Sequence, residues 1–285
     1  FSHYVSSSVV NEVLKNPEKL KLGGDMKELT VLFSDIRGFT TISEGLGPEE
    51  VHRLINEYLT AMTDIVFKHG GTLDKYIGDA IMAIYGAPVD QPDHAQKACD
   101  TALEMMQVLN TLNIGWAKEG KPVLDIGIGI NTGMMMVGNM GSEQRFEYTV
   151  LGDAVNLGSR LEGANKTYLT HILISEFTYE KVKDQFLCME MDSVRVKGKT
   201  RPVSIYQLMG RKEASASHAE TIRYFHQGLH FYKEQKWDKA MEAFKTVNAM
   251  DRGLYAAQLY MERIAGLKSN PPPPDWDGVC IMKEK

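Results

Sequence analysis

Two strand-length apolar runs in this chain each lead to an aspartate, and that pairing limits the folds open to it. Leu29 to Phe33 reads as a buried β-run that delivers Asp35 at its carboxyl end, beside a glycine-containing loop leading into a helix. Thr72 to Ile77 and Ala80 to Tyr85 read as paired strands joined by the two-residue turn Gly78-Asp79. Glycine supplies the backbone angles a tight hairpin needs, so the turn presents the Asp79 carboxylate at its tip. Taken singly, either aspartate also suits a turn or a helix cap. With the tip beside the end of the first strand, two hard oxygen ligands would face a space suited to Mg²⁺. Two such ions, about 3.5–4 Å apart, stabilise the attacking and leaving oxygens of an in-line displacement.

Between and beyond these runs the chain alternates strands and helices without a strict βαβ repeat. Pro48-Glu49-Glu50 opens a helix whose apolar face carries Val51, Leu54, Ile55, Tyr58, Leu59, Met62, Ile65 and Val66, and which stops at Gly70-Gly71. A second helix is expected from Asp93 to about Lys118, with Ala95, Ala98, Cys99, Ala102, Leu103 and Met106 buried. Val123 to Ile130 reads as a strand, after which Thr132-Gly133 is expected to turn the chain back through Met134 to Val137. Met134-Met135-Met136 reads as flexible core filler rather than a thioether site.

A length of 285 residues accommodates one full-sized domain and a smaller appendage. The net charge of −5, with no long basic run, argues against a nucleic-acid partner, so phosphate binding must come from local groups. No stretch approaches the roughly 20 apolar residues of a membrane helix. Cys99, Cys188 and Cys280 have neither metal-site spacing nor a disulfide pattern, which fits buried thiols in a reducing cytoplasm. Ser6-Ser7-Ser8 and the apolar residues after it read as a short capped helix broken at Asn16-Pro17. Because the sequence opens on Phe1, residues 1–27 are expected to be a linker from an upstream module, and any membrane attachment would come through that module.

Five strings, in order, resemble class III nucleotidyl cyclases, specifically bacterial adenylate cyclase catalytic domains. They are Phe33-Ser34-Asp35-Ile36-Arg37-Gly38-Phe39-Thr40, Lys75-Tyr76-Ile77-Gly78-Asp79, Val137-Gly138-Asn139-Met140-Gly141, the run from Tyr148 through Asn156 and Arg160 to Glu162, and Val196-Lys197-Gly198-Lys199. The resemblance spans about residues 28–210. It implies an α+β fold of the ferredoxin-like or palm type, βαββαβ, with a central mostly antiparallel sheet flanked by helices. It implies conversion of ATP to 3′,5′-cyclic AMP and pyrophosphate by a head-to-tail homodimer with sites shared between subunits. The expected location is the cytoplasm, either free or as the cytoplasmic part of a membrane-anchored receptor.

Cyclisation requires the ribose 3′-oxygen to attack the α-phosphorus in line with departing pyrophosphate, so charge builds on the phosphoryl oxygens and the leaving group. Asp35, Asp79 and the backbone carbonyl of Ile36 match the family's ligands for two Mg²⁺ or Mn²⁺ ions. Ile36, Gly38, Phe39 and Thr40 lie where backbone N–H groups near a helix start suit the β- and γ-phosphates. Asn156 and Arg160, four apart on a helix, share one face; Arg160 suits the transition-state phosphoryl oxygens and Asn156 the ribose. Asp153, just before that helix, reads as a cap or turn residue. For the base, a Lys75 ammonium donates to adenine N1 and a Thr149 hydroxyl accepts from the exocyclic amine. Guanylate cyclases of the family carry Glu and a small residue such as Cys at these two places. Many adenylate cyclases have Asp where Thr149 stands, which is a departure here. Lys197 matches a lysine that reaches the triphosphate, while Lys199 reads as solvated.

Gly210 to Ser217 reads as a linker, and residues 218–268 as helical. Tyr224, Gly228, Phe231, Ala240 and Phe244 follow the spacing of a tetratricopeptide helix pair, with a third helix from about Leu254 to Leu267. One such repeat is weakly stable alone, so it should pack on the catalytic domain or on its twin, with partner binding as the alternative. In the tail, residues 269–285, Pro271 to Pro274 is expected to be extended and anchored through Trp276. The competing functions are a catalytically weak nucleotide-binding regulatory module, a guanylate cyclase, and a diguanylate cyclase or polymerase-like palm enzyme. No Gly-Gly-Asp/Glu-Glu-Phe string supports the last.

Overall fold

A computed structural model of the chain describes residues 7–16, 21–195, 201–214 and 218–281. It divides into two compact units, Phe1–Gly163 and Ala164–Lys285. The first unit opens with α1 (Ser7–Lys15), which ends one residue before the expected break at Asn16-Pro17. Its framework is β1 (Gly23–Ile36), α2 (Phe39–Glu44), α3 (Pro48–Lys68), β2 (Thr72–Ile77), β3 (Ala80–Tyr85), α4 (His94–Lys118), β4 (Ile126–Ser142), β5 (Arg145–Leu151) and most of α5 (Asp153–Tyr168), whose end from Ala164 onward falls in the second unit. The strands run in the order β2-β3-β1-β4, with β5 added to the far half of β4, and every pairing among them is antiparallel. This is the expected βαββαβ arrangement.

The period-two alternation of β1 sorts the helices onto its two faces. On one face, Thr30 Oγ1 lies 2.7 Å from His94 Nδ1 of α4, and Ser34 Oγ lies 3.3 Å from the Tyr58 hydroxyl of α3. On the other, Val31 and Phe33 meet α5 at Gly158, where an added Cβ would stand 2.8 Å from Val31. Leu29, Val31, Met82, Ile84, Met135, Val137, Val150 and Val155 form the core on this second face. Asp35 follows Val31 and Phe33 in the alternation and so belongs to the α5 side of the strand.

The expected return at Thr132-Gly133 does not form. β4 runs unbroken for 17 residues because β1 pairs with it continuously, from Gly23 opposite Asn139 to Ile36 opposite Ile126. Thr132 stays in the ladder opposite Thr30, and their hydroxyl oxygens are 2.7 Å apart. Strand alternation also divides the methionines: Met135 is fully buried, whereas Met134 is 53% exposed and is not core filler.

In the second unit β6 (Ile172–Ser175), α6 (Glu176–Val182), β7 (Phe186–Arg195) and β8 (Val203–Arg211) precede α7 (Ala219–Lys233), α8 (Trp237–Met250), α9 (Tyr255–Ser269) and β9 (Cys280–Ile281). The strand order here is β6-β8-β7-β9. Gly210 lies within β8, which ends at Arg211, rather than opening a linker. Helices α7 to α9 enclose Phe225, Phe244 and Tyr260, with Phe244 and Tyr260 stacked at 5.0 Å. They also attach to β7: the Tyr260 hydroxyl donates to the Met191 carbonyl at 2.9 Å, and the Glu190 N–H donates to His226 Nε2 at 2.9 Å. This second contact surface moves full burial on α7 to Phe225 and Tyr232, one residue beyond Tyr224 and Phe231 of the repeat spacing. Gly228 admits the Phe244 ring, which an added Cβ would meet at 2.8 Å. Trp276 anchors the tail as expected, with its ring 5.3 Å from Tyr232 and 5.6 Å from Trp237.

Candidate active site

Asp79 sits in the β2–β3 hairpin turn, where Gly78 adopts φ +66° and Ile77 pairs with Ala80. The pairing of β3 with β1 carries this turn to the end of β1 that holds Asp35. Burial first, and then the charge of the adjacent Asp35, push the Asp79 carboxyl above the usual carboxylate range, against the backbone N–H groups of Asp79 and Ile36. Asp79 Oδ2 is buried with no hydrogen-bond partner. A buried carboxylate oxygen with no donor, beside a second carboxylate, fits a divalent cation, which would satisfy both. No group of three or more His, Cys, Asp or Glu side chains suited to a metal occurs among the described residues. A metal at Asp35 and Asp79 would therefore complete its shell with water and substrate oxygens, as Mg²⁺ commonly does.

After β1, Gly38 takes φ +64° as the residue before α2. The run of N–H groups expected from Ile36 to Thr40 is interrupted, because Arg37 N–H donates to the Asp125 carbonyl at 2.8 Å. The Arg37 side chain holds the same residue, with Nη1 2.9 Å from Asp125 Oδ2. Gly38, Phe39 and Thr40 remain at the start of α2. Lys197 and Lys199 lie outside the described residues.

Helix α5 presents Asn156 and Arg160 on the side away from its buried residues Val155, Leu157, Gly158 and Leu161. The helix is set very close to the sheet. An added Cβ at Gly129 of β4 would lie 2.2 Å from Glu162 N and 2.4 Å from the Gly158 carbonyl oxygen. Asp153 is the first residue of the helix, where a negative charge suits the exposed N–H groups.

Lys75 and Thr149 come together around two acidic residues that sequence reasoning missed. Thr149 Oγ1 donates to Asp74 Oδ2 at 2.6 Å, and Lys75 Nζ lies 3.1 Å from Glu147 Oε2. Lys75 Nζ is also 3.6 Å from Asp74 Oδ1, an ion-pair distance too long for a hydrogen bond. Burial raises the Asp74 carboxyl above its ordinary value, opposed by Thr149 and Lys75. Burial also weakens the Lys75 ammonium, but the hydrogen bond to Glu147 and the Asp74 charge outweigh it, so its pKa is raised. The cause of the juxtaposition is an irregularity in β2: Leu73 pairs with Ala83 and Lys75 with Met82, which leaves Asp74 as an extra, bulged residue. The only sequence signal was an acid inside an apolar strand.

A concave surface lined by Glu12, Lys21, Gly24, Lys27 and Tyr148 lies elsewhere. Gly24 is eleven strand residues from Asp35, roughly 36 Å at the rise of a β-strand. Among the described residues no helix is long and apolar enough to cross a membrane.

Residues 24–210 match the family model described as the adenylate and guanylate cyclase catalytic domain. Adenylate cyclase 1 of Rhizobium meliloti (strain 1021) is 35% identical over 210 residues, which cover 74% of this chain and 32% of that protein. The adenylate cyclase of Anabaena cylindrica is 36% identical over 217 residues, 73% of this chain and 42% of that one. The chain thus spans well under half the length of these relatives. Among solved structures, the adenylyl cyclase CyaB from P. aeruginosa is 43% identical with a TM-score of 0.61, covering 66% of this chain and 96% of that one. The guanylyl cyclase Cya2 is 42% identical with a TM-score of 0.63, covering 68% and 98%. The match over residues 24–210 and the likeness to solved cyclase structures show that this chain belongs to the family of adenylate and guanylate cyclase catalytic domains.

Proposed function

We propose that the chain is the catalytic part of an adenylate cyclase, converting ATP to 3′,5′-cyclic AMP and pyrophosphate as a head-to-tail homodimer with shared sites. The observation that carries the reading is the Asp35–Asp79 pair, with its buried, partnerless carboxylate oxygen, in a chain of this family. Asp35, Asp79 and the Ile36 carbonyl would hold two Mg²⁺ or Mn²⁺ ions. When bound, such ions supply positive charge against the triphosphate and acidify the attacking hydroxyl. The remaining work falls to side chains of the other subunit. Lys75 donates to adenine N1, and Thr149 accepts from the 6-amine. Asn156 orients the ribose so that its 3′-oxygen stands in line with the bond from the α-phosphorus to the leaving pyrophosphate. As the new phosphorus–oxygen bond forms and that bond breaks, the 3′-proton passes to solvent water and charge grows on the α-phosphoryl oxygens, which Arg160 meets with a fixed planar donor array. Gly38, Phe39, Thr40 and Lys197 are assigned to the β- and γ-phosphates.

Each subunit would thus supply half of each site, the location would be cytoplasmic, and the helices α7 to α9 would form a tetratricopeptide-like extension. The base preference rests on Lys75, since both adenylyl and guanylyl cyclases are near relatives. The deciding assay follows product from ATP and from GTP with Mg²⁺ or Mn²⁺. Cyclic AMP as the main product supports the reading. Cyclic GMP as the main product makes the chain a guanylate cyclase, and binding without turnover makes it a regulatory module.

A further inference from the structure

The purine bases differ in hydrogen-bond polarity at the edge that Lys75 and Thr149 are proposed to read. Adenine offers an acceptor at N1 and a donor at the 6-amine, whereas guanine offers a donor at N1 and an acceptor at O6. Lys75 can only donate. A threonine hydroxyl can either donate or accept, so by itself Thr149 would serve adenine and guanine alike. What removes this ambiguity is the partner of the hydroxyl.

That partner is Asp74, whose side chain is fully buried. In regular β-structure Asp74 and Lys75 would point to opposite faces. The bulge between Leu73 and Lys75 turns both toward β5, where alternation places Glu147 and Thr149 on one face. An ionised carboxylate accepts only, so at 2.6 Å the Thr149 proton is committed to Asp74 Oδ2. The lone pairs of the hydroxyl are then what it has to offer a base. Asp74 Oδ1, which has no hydrogen-bond partner, lies 3.6 Å from Lys75 Nζ and keeps the ammonium beside the hydroxyl.

We propose that Asp74 is a positioning residue for base selection: set inward by the β2 bulge, it fixes Thr149 Oγ1 as an acceptor toward the base and holds Lys75 next to it, so that the pair reads adenine and repels guanine. The proposal rests on the reading that Lys75 and Thr149 contact the base. Replacing the carboxylate with an amide reverses the constraint, because the side-chain amide introduced by Asp74→Asn donates to Thr149 Oγ1 and frees the hydroxyl proton for guanine O6.

The test measures kcat/KM for ATP, GTP and the triphosphate of purine riboside, which lacks the 6-amine. The proteins are the wild type, Asp74→Asn, Asp74→Ala, Thr149→Val and Asp74→Asn with Thr149→Val, each checked by circular dichroism and thermal melting. Asp74→Asn is expected to lower the ATP-to-GTP ratio about tenfold, the scale of one hydrogen bond. Asp74→Ala, which frees the hydroxyl to rotate, should also lower it. Purine riboside triphosphate should be used about equally well before and after, and Asp74→Asn should add nothing to the ratio of Thr149→Val. A purely structural role would lower all substrates together and leave the ratio alone, and that result in either folded Asp74 variant overturns the proposal. If Thr149→Val itself leaves the ratio unchanged, or the wild type does not prefer ATP, the base-reading assignment falls and the role of Asp74 falls with it.

Discussion

Gly129→Ala should disable the enzyme without touching any residue assigned to the site. The added methyl would lie 2.2 Å from Glu162 N, 2.4 Å from the Gly158 carbonyl oxygen and 2.8 Å from Glu162 Cα. All three are backbone atoms of α5, so no side-chain rotation relieves the clash. Ordinary contact begins near 3.4 Å, and the difference from 2.2 Å requires α5 to retreat by 1.2 Å. Asn156 and Arg160 flank Gly158 on the same helix and retreat with it. A misplacement of about 1 Å can cost a factor of about 100 in rate, so kcat is expected to fall by about that much. Overpacking costs about 1–3 kcal/mol, which leaves the chain folded with a Tm lower by several degrees. KM for ATP should change less, because Lys75 and Thr149 are not on α5. Gly115→Ala in α4, where an added Cβ meets nothing within 4 Å, serves as the comparison. It should keep full activity and gain up to about 1 kcal/mol from helix propensity. The measurements are cyclic nucleotide formation and thermal melting of both variants. A folded Gly129→Ala protein with kcat within a few-fold of wild type would refute the link between helix placement and turnover.

Asp79→Asn should lower cyclic AMP formation at least ~100-fold while leaving the fold intact. It should also change the pH dependence of stability. The native Asp79 pKa is raised above 3.8 by burial and Asp35, so its contribution is present in full below that value and lost as pH rises through the native one. The metal-free wild type should therefore gain Tm relative to Asp79→Asn as pH falls through this window, and parallel melting curves would contradict it. Asp35→Ala and Arg160→Ala should each be nearly inactive alone. An equal, exchanged mixture should recover roughly a quarter of wild-type activity, since half the dimers are mixed and each has one intact site; no recovery after demonstrated exchange excludes shared sites. In the second unit, Asp192 is 2% exposed and accepts from Arg263 at 2.7 Å and from the Tyr168 hydroxyl at 2.6 Å. Arg263→Met should cost about 3–5 kcal/mol by stranding that carboxylate, and adding Asp192→Asn should recover much of it in denaturant titrations.

Local rules carried much of the reading from sequence. Gly78 at positive φ forces the hairpin wherever the strands lie, so Asp79 was legible at a turn tip. Pro48 and Asp93 mark the starts of α3 and α4 because a missing N–H or an exposed first turn is a property of a few adjacent residues. The four-residue spacing of Asn156 and Arg160 fixes their shared face on any helix. What failed depended on partners distant in sequence. Thr132-Gly133 looks like a turn in isolation, yet β1 supplies a hydrogen-bonding edge long enough to hold it straight. The buried aromatic positions of α7 follow from two packed surfaces, α8 and β7, rather than from one helix pair. Asp74 shows the division most clearly. A single acid in a strand says nothing about direction, and only the mismatch of register between β2 and β3 turns it inward to Thr149 and Lys75. Residue order fixes which groups the chain carries and the local angles at which it presents them. Which of those groups share a hydrogen bond follows from the assembled sheet, because register and bulges arise from the pairing of whole strands.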